Sequence, residues 1–308
     1  STTVWPVIQM GLVPVYVDCD LHTFNMDSNK IEDAISDKTK AIFSVPIYGN
    51  PCEMDDILSI CDKYNLMLIE DCCESMGAQY KNKYVGSFGR AASFSFYYSH
   101  HITTLEGGIC VTNDHDLSEM MRIVRAHGWV RQVENREKWT NTYKDFDPKF
   151  LFVNDGYNLR ITEPQAAMGL LQIDKIDGFI KSRQSNAKKY FNELESLSDF
   201  FTFQVTTKNS ENTHFGFPLV CKNNKFFTRD EICSFLNSKG IETRPIIAGN
   251  LARQPANSLF KHRISGELNN SDYIMDNGFS VGVHQSLSSD AINYVTGKIK
   301  EFIRLRVK

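Results

Sequence analysis

Apolar runs alternate with amphipathic stretches through the first 125 residues. The runs at 14–18, 41–46 and 66–69 are rich in large apolar residues, which is typical of buried strands. Between the last two runs, the segment from Met54 to Tyr64 places apolar residues on one face at helical spacing. Strands that alternate with helices predict a doubly wound, largely parallel sheet, and therefore an α/β fold.

The pattern changes after residue 125. Segment 126–155 is polar, rich in aromatic and charged residues and weakly periodic, so we expect a long loop, and loops of this length are usually functional or disordered. Thr162, Pro164 and Gln165 then form a helix-start pattern with a capping box. This pattern predicts one long helix that runs towards Phe191.

The last third of the chain again contains strand-like and helix-like segments. We therefore expect a large domain over 1–165, followed by a linking helix and a small α+β domain over 166–308. Because the chain begins at Ser1 inside a motif, we expect the N-terminal part of the large domain to be missing.

Composition narrows the possible functions. The chain has 308 residues, a net charge of −3 and no basic block, which argues against a nucleic-acid partner. No apolar run approaches the roughly 20 residues that a membrane span needs. The eight cysteines include no C-x-x-C pair, and this usage fits reduced thiols in a cytoplasmic protein. We predict no metal site.

The segment 94–108 is the strongest candidate for chemistry. It starts as a strand, leaves that pattern for a polar loop with His100 and His101, and ends on Gly107 and Gly108. Small hydroxyls and a titratable ring just beyond a strand end are where α/β proteins often place binding groups.

Three segments in order, 70–77, 94–108 and 156–167, carry a family resemblance. They resemble the signature motifs of the DegT/DnrJ/EryC1/StrS sugar-nucleotide aminotransferases, which use pyridoxal phosphate (PLP). The resemblance implies an aspartate aminotransferase-like fold, PLP fold type I. Its large domain has a mostly parallel, seven-stranded type of sheet, and its small C-terminal domain is α+β. It also implies a homodimer with shared active sites.

The resemblance assigns roles to individual residues. Asp71 would pair with the pyridine nitrogen of PLP, since a nearby carboxylate favours the protonated ring, the better electron sink. Ser95 would bind the phosphate, Asn158 would reach the phosphate of the neighbouring subunit, and Glu74 is a further cofactor-binding candidate. The candidates for substrate binding are Arg160, Arg244 and His284.

His100 occupies the position where the aminotransferases carry the lysine that holds PLP through a Schiff base. An imidazole cannot form that stable imine. A histidine here resembles the PLP-dependent sugar 3-dehydratases, which use PLP and pyridoxamine phosphate to remove the 3-hydroxyl of a nucleotide-linked 4-keto-6-deoxyhexose. The resemblance implies deoxysugar biosynthesis for surface polysaccharide, with glutamate as amino donor. One imidazole with a pKa near ~6.5 can accept a proton and later return it. His101 is the second candidate for this role.

Alternatives follow from the same motifs. The chain could be a sugar aminotransferase whose lysine comes from elsewhere, with Lys81 and Lys83 nearest in sequence, or a non-catalytic paralogue without the lysine. The presence of Asp71, Ser95, Asn158 and Arg160 argues against the paralogue. One branch of the 3-dehydratases carries an iron–sulfur cluster served by a reductase. The absence of cysteine over 127–149 disfavours that branch.

Overall fold

The computed structural model describes residues 1–307, which form ten α-helices and twelve β-strands. The strands are β1 (Val15–Tyr16), β2 (Ala41–Ser44), β3 (Met67–Asp71), β4 (Gln79–Tyr80), β5 (Lys83–Tyr84), β6 (Ala91–Ser95), β7 (Gly108–Val111), β8 (Phe201–Phe203), β9 (Ser210–Glu211), β10 (Phe217–Cys221), β11 (Arg263–Ile264) and β12 (Gly278–Val281). The helices are α1 (Trp5–Gln9), α2 (Ile31–Ala34), α3 (Met54–Tyr64), α4 (His115–Val124), α5 (Arg136–Thr142), α6 (Glu163–Ile173), α7 (Ile176–Leu194), α8 (Arg229–Ser238), α9 (Asn269–Asn277) and α10 (Ser289–Arg306).

The main sheet has the order β2-β3-β6-β7. Strands β2, β3 and β6 are parallel, and β7 pairs antiparallel at the edge, with Phe94 opposite Ile109. Met54 and Ile57 of α3 are fully buried against this sheet, in one cluster with Ile42 and Leu68. The predicted α/β fold with a mostly parallel sheet is confirmed, because apolar strand residues are covered by an amphipathic helix.

A second, antiparallel sheet has the order β12-β10-β8. All five residues of β10 are buried, and Leu219 and Phe279 pack with Leu236 of α8 and with Ile299 and Phe302 of α10. This α+β cluster is the second large apolar core of the described chain. The domain boundary at residue 165 stays a prediction.

The strand predicted over 14–18 is shorter than expected and does not belong to the main sheet. Only Val15–Tyr16 is a strand, and it pairs in parallel with β11 outside the main sheet. The run cannot continue as a buried strand because the Asp18 carboxylate accepts from the backbone N–H groups of Asn270 and Ser271, at the start of α9. That interaction turns the chain towards the C-terminal half.

The long loop predicted over 126–155 is interrupted by regular structure, since the segment contains α5 and a 3₁₀ turn at Val130–Gln132. The Asn135 side chain accepts from the N–H of Lys138 and caps α5, a local signal that periodicity alone does not reveal. The predicted capping box is confirmed.

The single long helix predicted towards Phe191 is two helices, α6 and α7, separated at Asp174 and Lys175. The two helices differ in their surroundings. No residue of α6 is buried, whereas α7 buries Ala187, Tyr190 and Leu194 in the core of the second sheet. The apolar side chains of α6 are therefore left at the surface of the chain.

We expect Leu236→Ala to lower the free energy of unfolding by about 2–5 kcal/mol, because the helical Leu236 side chain is fully buried and its loss leaves a cavity. Leu305→Ala, at an exposed site on α10, is the matched control and should change it by less than about 0.5 kcal/mol. Urea denaturation measures both. Equal losses in the two variants would contradict the assigned core.

Candidate active site

A cavity of about 770 Å³ lies between the carboxyl-end loops of the main sheet and the antiparallel sheet. Glu74, Tyr97 and His100 line it from the loops that follow β3 and β6. Arg244 and Ser280 line it from the other side. Ligand sites in α/β proteins commonly form outside the carboxyl ends of parallel strands, which is where this cavity opens.

Asp71 is the last residue of β3, so its carboxylate lies at the carboxyl end of the main sheet. One oxygen, Oδ2, accepts from Thr3 Oγ1 at 2.6 Å, and Oδ1 accepts from the N–H of Cys73 at 3.2 Å. The negative charge acts on His100 and opposes the lowering of its pKa. Asp71 therefore lies within electrostatic reach of the imidazole.

His100 stands in the loop after β6. Its ring centroid lies 5.0 Å from that of Phe215 and 5.9 Å from that of Tyr97. Nδ1 is buried and has no hydrogen-bond partner within the described chain. Burial is the main reason that the pKa of His100 is below its ordinary value. His100 therefore lines the cavity as an imidazole whose burial favours the neutral form.

His101 is placed differently. It is almost fully buried, its Nε2 lies 3.3 Å from the carbonyl oxygen of Thr213, and burial lowers its pKa to about 3. It is not among the residues that line the cavity. The geometry therefore favours His100 over His101 for acid–base work.

Glu74 faces the same cavity. Its Oε2 accepts from the N–H of Tyr48 at 3.1 Å. Burial, aided by the charge of Asp71, raises the pKa of Glu74 to about 7. Loss of water around the carboxyl group favours its neutral form, so Glu74 can donate a hydrogen bond near neutral pH.

Tyr48 is a residue that our sequence reasoning missed. Its backbone is left-handed, with φ of 57°, and its hydroxyl donates to Ser280 Oγ at 2.8 Å. Tyr48 therefore joins Glu74 on one side of the cavity to β12 on the other. The only local signal is a Tyr-Gly-Asn turn after a predicted strand.

The polar groups in and beside the cavity fit a PLP ring. The Asp71 carboxylate could pair with the ring nitrogen, and His100 and the protonatable Glu74 line the cavity as further polar residues. No lysine lines the cavity in the described residues. Lys81 pairs instead with Asp55, and Lys83 lies over the ring of Phe88. Neither lysine replaces the missing amine.

The remaining cofactor-binding and substrate-binding candidates are dispersed. Ser95 ends β6, outside the residues that line the cavity, and its Oγ accepts from the N–H of Tyr97 at 3.2 Å. Arg244 is exposed and pairs with Glu242 at 2.9 Å. His284 is exposed and its Nδ1 lies 2.7 Å from Ser286 Oγ. The roles of these residues stay predictions.

Asn158 and Arg160 lie in a second cavity of about 480 Å³, which Arg125 and Gln132 also line. The guanidinium of Arg160 donates to Asn158 Oδ1 at 3.2 and 3.4 Å. Because Arg160 uses only Oδ1 of Asn158, the amide nitrogen Nδ2 can donate to another acceptor. Two guanidinium groups and two amides suit an anion. No group of three or more potential metal ligands occurs within 1–307.

The mostly parallel sheet, the second α+β layer and the cavity between them define an aspartate aminotransferase-like protein. Residues 1–300 match the model of the DegT/DnrJ/EryC1/StrS aminotransferase family, and the chain belongs to that family. The predicted family is therefore confirmed.

Several proteins similar to this chain are sugar 3-dehydratases. GDP-4-keto-6-deoxy-D-mannose 3-dehydratase of Escherichia coli O55:H7 is 39% identical over 303 residues, covering 97% of this chain and 77% of that protein. The solved structure of the E. coli GDP-4-keto-6-deoxy-D-mannose 3-dehydratase with bound hydrated PLP is 37% identical, with a TM-score of 0.91 over 97% of this chain and 77% of that one. A structure of the same kind of enzyme with a trapped PLP–glutamate geminal diamine is 35% identical, with a TM-score of 0.87 over the same shares of the two chains.

We expect the free energy of unfolding of the cofactor-free protein to fall between pH 5 and pH 8 through Glu74. Its folded-state pKa of about 7 lies above the ordinary value of 4.5, so unfolding releases a proton in this window and rising pH favours the unfolded chain. The contribution is roughly 3 kcal/mol. Glu74→Gln should remove it, as measured by urea denaturation at both pH values.

Glu137→Gln, at an exposed glutamate, is the control and should keep the wild-type dependence. An unchanged fall in Glu74→Gln would contradict the buried, protonated state of Glu74.

Proposed function

We propose that the chain is a PLP- and pyridoxamine-phosphate-dependent 3-dehydratase of a nucleotide-linked 4-keto-6-deoxyhexose. The observation that carries this proposal is that His100, and no lysine, lines the cavity near Asp71. The names of the two similar enzymes support the same reaction. GDP-4-keto-6-deoxy-D-mannose is the first substrate to test, and glutamate is the proposed amino donor.

Asp71, Glu74 and Ser95 would hold the cofactor, with Asn158 supplied by a neighbouring subunit. Asp71 lies at the end of a buried strand and would keep the ring nitrogen protonated. When bound, the cofactor supplies an electron sink for a carbanion. The protein contributes orientation and controlled protonation around it.

His100 would do the acid–base work. Because burial lowers its pKa, the imidazole is neutral at pH 7 and can accept a proton. The imidazolium can then donate that proton to the C3 hydroxyl oxygen, so that the C3–O bond breaks and water leaves. A lysine here would add an amine that competes by covalent attachment.

The second cavity suits an anionic part of the substrate. Arg125 and Arg160 place two guanidinium groups beside Asn158, and guanidinium groups bind phosphate oxygens with directional hydrogen bonds. We propose that Arg160 contributes to substrate binding there, with Arg244 acting at the main cavity. His284 is a weaker candidate because it is exposed and bonded to Ser286.

We propose a homodimer with shared sites, supported by the apolar surface of α6 and the segment before it. Leu170 is 71% exposed, Leu171 67% and Leu159 68%. Leu159 lies between Asn158 and Arg160, the residues that line the second cavity. Exposed leucines that are adjacent in a helix are typical of interaction surfaces, and a second copy that covered Leu159 would also approach Asn158.

The proposed location is the cytoplasm. All eight cysteines are free thiols, as expected in a reducing compartment. Within residues 1–307 no helix combines the length and apolar character that a membrane crossing requires.

We expect His100→Asn to lower the rate of C3 deoxygenation roughly 10²–10⁴-fold, the usual contribution of a positioned acid–base group. PLP should still bind, because Asp71 and Ser95 are unchanged. Product formation from GDP-4-keto-6-deoxy-D-mannose with PLP and glutamate is measured by mass spectrometry, and PLP retention by absorbance.

His115→Asn, at an exposed histidine of α4, is the matched control and should keep the wild-type rate. In His100→Lys we expect covalent PLP attachment and a lower ratio of 3-deoxygenated product to 4-amino sugar. Wild-type deoxygenation in His100→Asn would refute the assigned base.

We expect the double substitution Leu170→Glu and Leu171→Glu to produce monomers, because four charged side chains in each dimer would have to be buried. Light scattering after size-exclusion chromatography measures the mass, and PLP retention should fall with it. Leu305→Glu, at another exposed leucine, should leave the mass unchanged. A dimer that survives the double substitution would place the interface elsewhere.

A further inference from the structure

Arg183 is a buried cation without a carboxylate partner. It lies on α7, is 2% exposed and forms no salt bridge within the described chain. Its guanidinium donates only to neutral acceptors: Nε to Gln285 Oε1 at 3.0 Å, and Nη1 to the carbonyl oxygens of His214 at 3.3 Å and Phe215 at 3.2 Å. Burying an uncompensated charge is costly, so its retention calls for a functional reason.

The carbonyl groups that hold Arg183 belong to the segment that packs on the candidate base. The ring of Phe215 lies 5.0 Å from His100 and 6.0 Å from His101 between centroids. The Nε2 of His101 lies 3.3 Å from the carbonyl oxygen of Thr213 in the same segment. Arg183, segment 213–215 and the two imidazoles therefore form one packed unit.

Building on the function proposed above, we propose that Arg183 is a positioning residue for the dehydration. It fixes segment 213–215 behind His100, and its uncompensated charge adds to the effect of burial in favouring the neutral imidazole, which can accept a proton. The residue itself does not line the cavity, so it acts through His100 and not on the substrate.

The charges around His100 agree with this role. Burial is the largest influence that lowers the pKa of His100, Asp71 opposes it, and Arg183 lowers it further. The same guanidinium lowers the pKa of His101 and His284. Burial lowers the pKa of Arg183 only to about 10, so it stays charged at pH 7. The titratable residues that line the same cavity as His100 are Tyr48, Glu74, Tyr97, Tyr190, Glu242, Arg244 and Tyr294, and His214 acts on the neighbouring His101.

The test compares Arg183→Gln with Arg183→Lys. Glutamine can still donate to two carbonyl groups but carries no charge, whereas lysine keeps the charge and loses the planar fork. The pKa of His100 is measured by NMR titration of ¹³C-labelled histidine in the full chain without cofactor, with His100→Asn used to assign the signal. We expect Arg183→Gln to raise the pKa of His100, because the substitution removes a positive charge that disfavours the imidazolium.

Arg183→Lys should leave the pKa of His100 near the wild-type value even if it is less stable. The proposal is overturned if the pKa is unchanged in a folded Arg183→Gln, or if Arg183→Lys shifts it upwards as a loss of charge would. Circular dichroism confirms folding.

A second readout uses catalysis. The acid limb of the pH–rate profile for C3 deoxygenation should move to higher pH in Arg183→Gln and should stay in place in Arg183→Lys, whereas a purely structural role would change the rate without moving the limb. The NMR titration does not depend on the reaction. Wild-type protein that fails to deoxygenate any 4-keto sugar would refute the proposed function, while an unshifted titration would refute the role of Arg183 alone.

Discussion

A single buried carboxylate, that of Glu70, holds together the strands from which the active site is built. It accepts from the N–H groups of Gly86 at 2.7 Å, Phe88 at 2.8 Å and Gly89 at 2.7 Å. These three donors belong to the turn that enters β6. Gly89 approaches so closely that an added Cβ would lie 2.5 Å from the carbonyl oxygen of Leu68. Because successive strand residues point to opposite faces, Glu70 locks the turn while Asp71 is free to face the ligand.

Burial then sets the protonation of the groups at the cavity. It acts on Glu74 and His100 in opposite directions on the pKa scale, raising the first and lowering the second. Low polarity disfavours either ion, so His100 is mostly neutral at pH 7 and Glu74, with a pKa of about 7, is about half protonated there. A protonated Glu74 could donate a proton and a neutral His100 could accept one within the same cavity. Enzymes commonly assign such acid and base roles through the environment of each group.

The sequence was sufficient for the elements whose signals are local. The apolar runs of β2 and β3, the capping box at Thr162 and the family motifs around Asp71 and His100 are all readable from a few adjacent residues. The failures depend on distant partners. Strand β1 ends where Asp18 is drawn to α9, 252 residues away in sequence. The break between α6 and α7 reflects which core each helix can reach, and no residue near Asp174 indicates it.

The parts of the site that sequence reasoning missed share the same cause. Tyr48 joins two sides of the cavity through a hydroxyl that contacts Ser280, 232 residues later. Arg183 lies in a polar helical segment, where an arginine is normally solvated, and only the folded structure shows it buried against carbonyl groups. Long-range burial changes the chemistry of such side chains without changing their local pattern.

The packing around His100 suits a histidine at the position where the aminotransferases carry a lysine. A lysine side chain is flexible, and its covalent bond to the cofactor would hold it in place. The His100 ring lies instead between the aromatic rings of Phe215 and Tyr97, so contacts within the protein fix its position. Phe215 is in turn held through its carbonyl group by Arg183. In the proposed reaction, where the cofactor would not be tethered, this packing would keep the imidazole in place, and the burial that comes with it favours the neutral form.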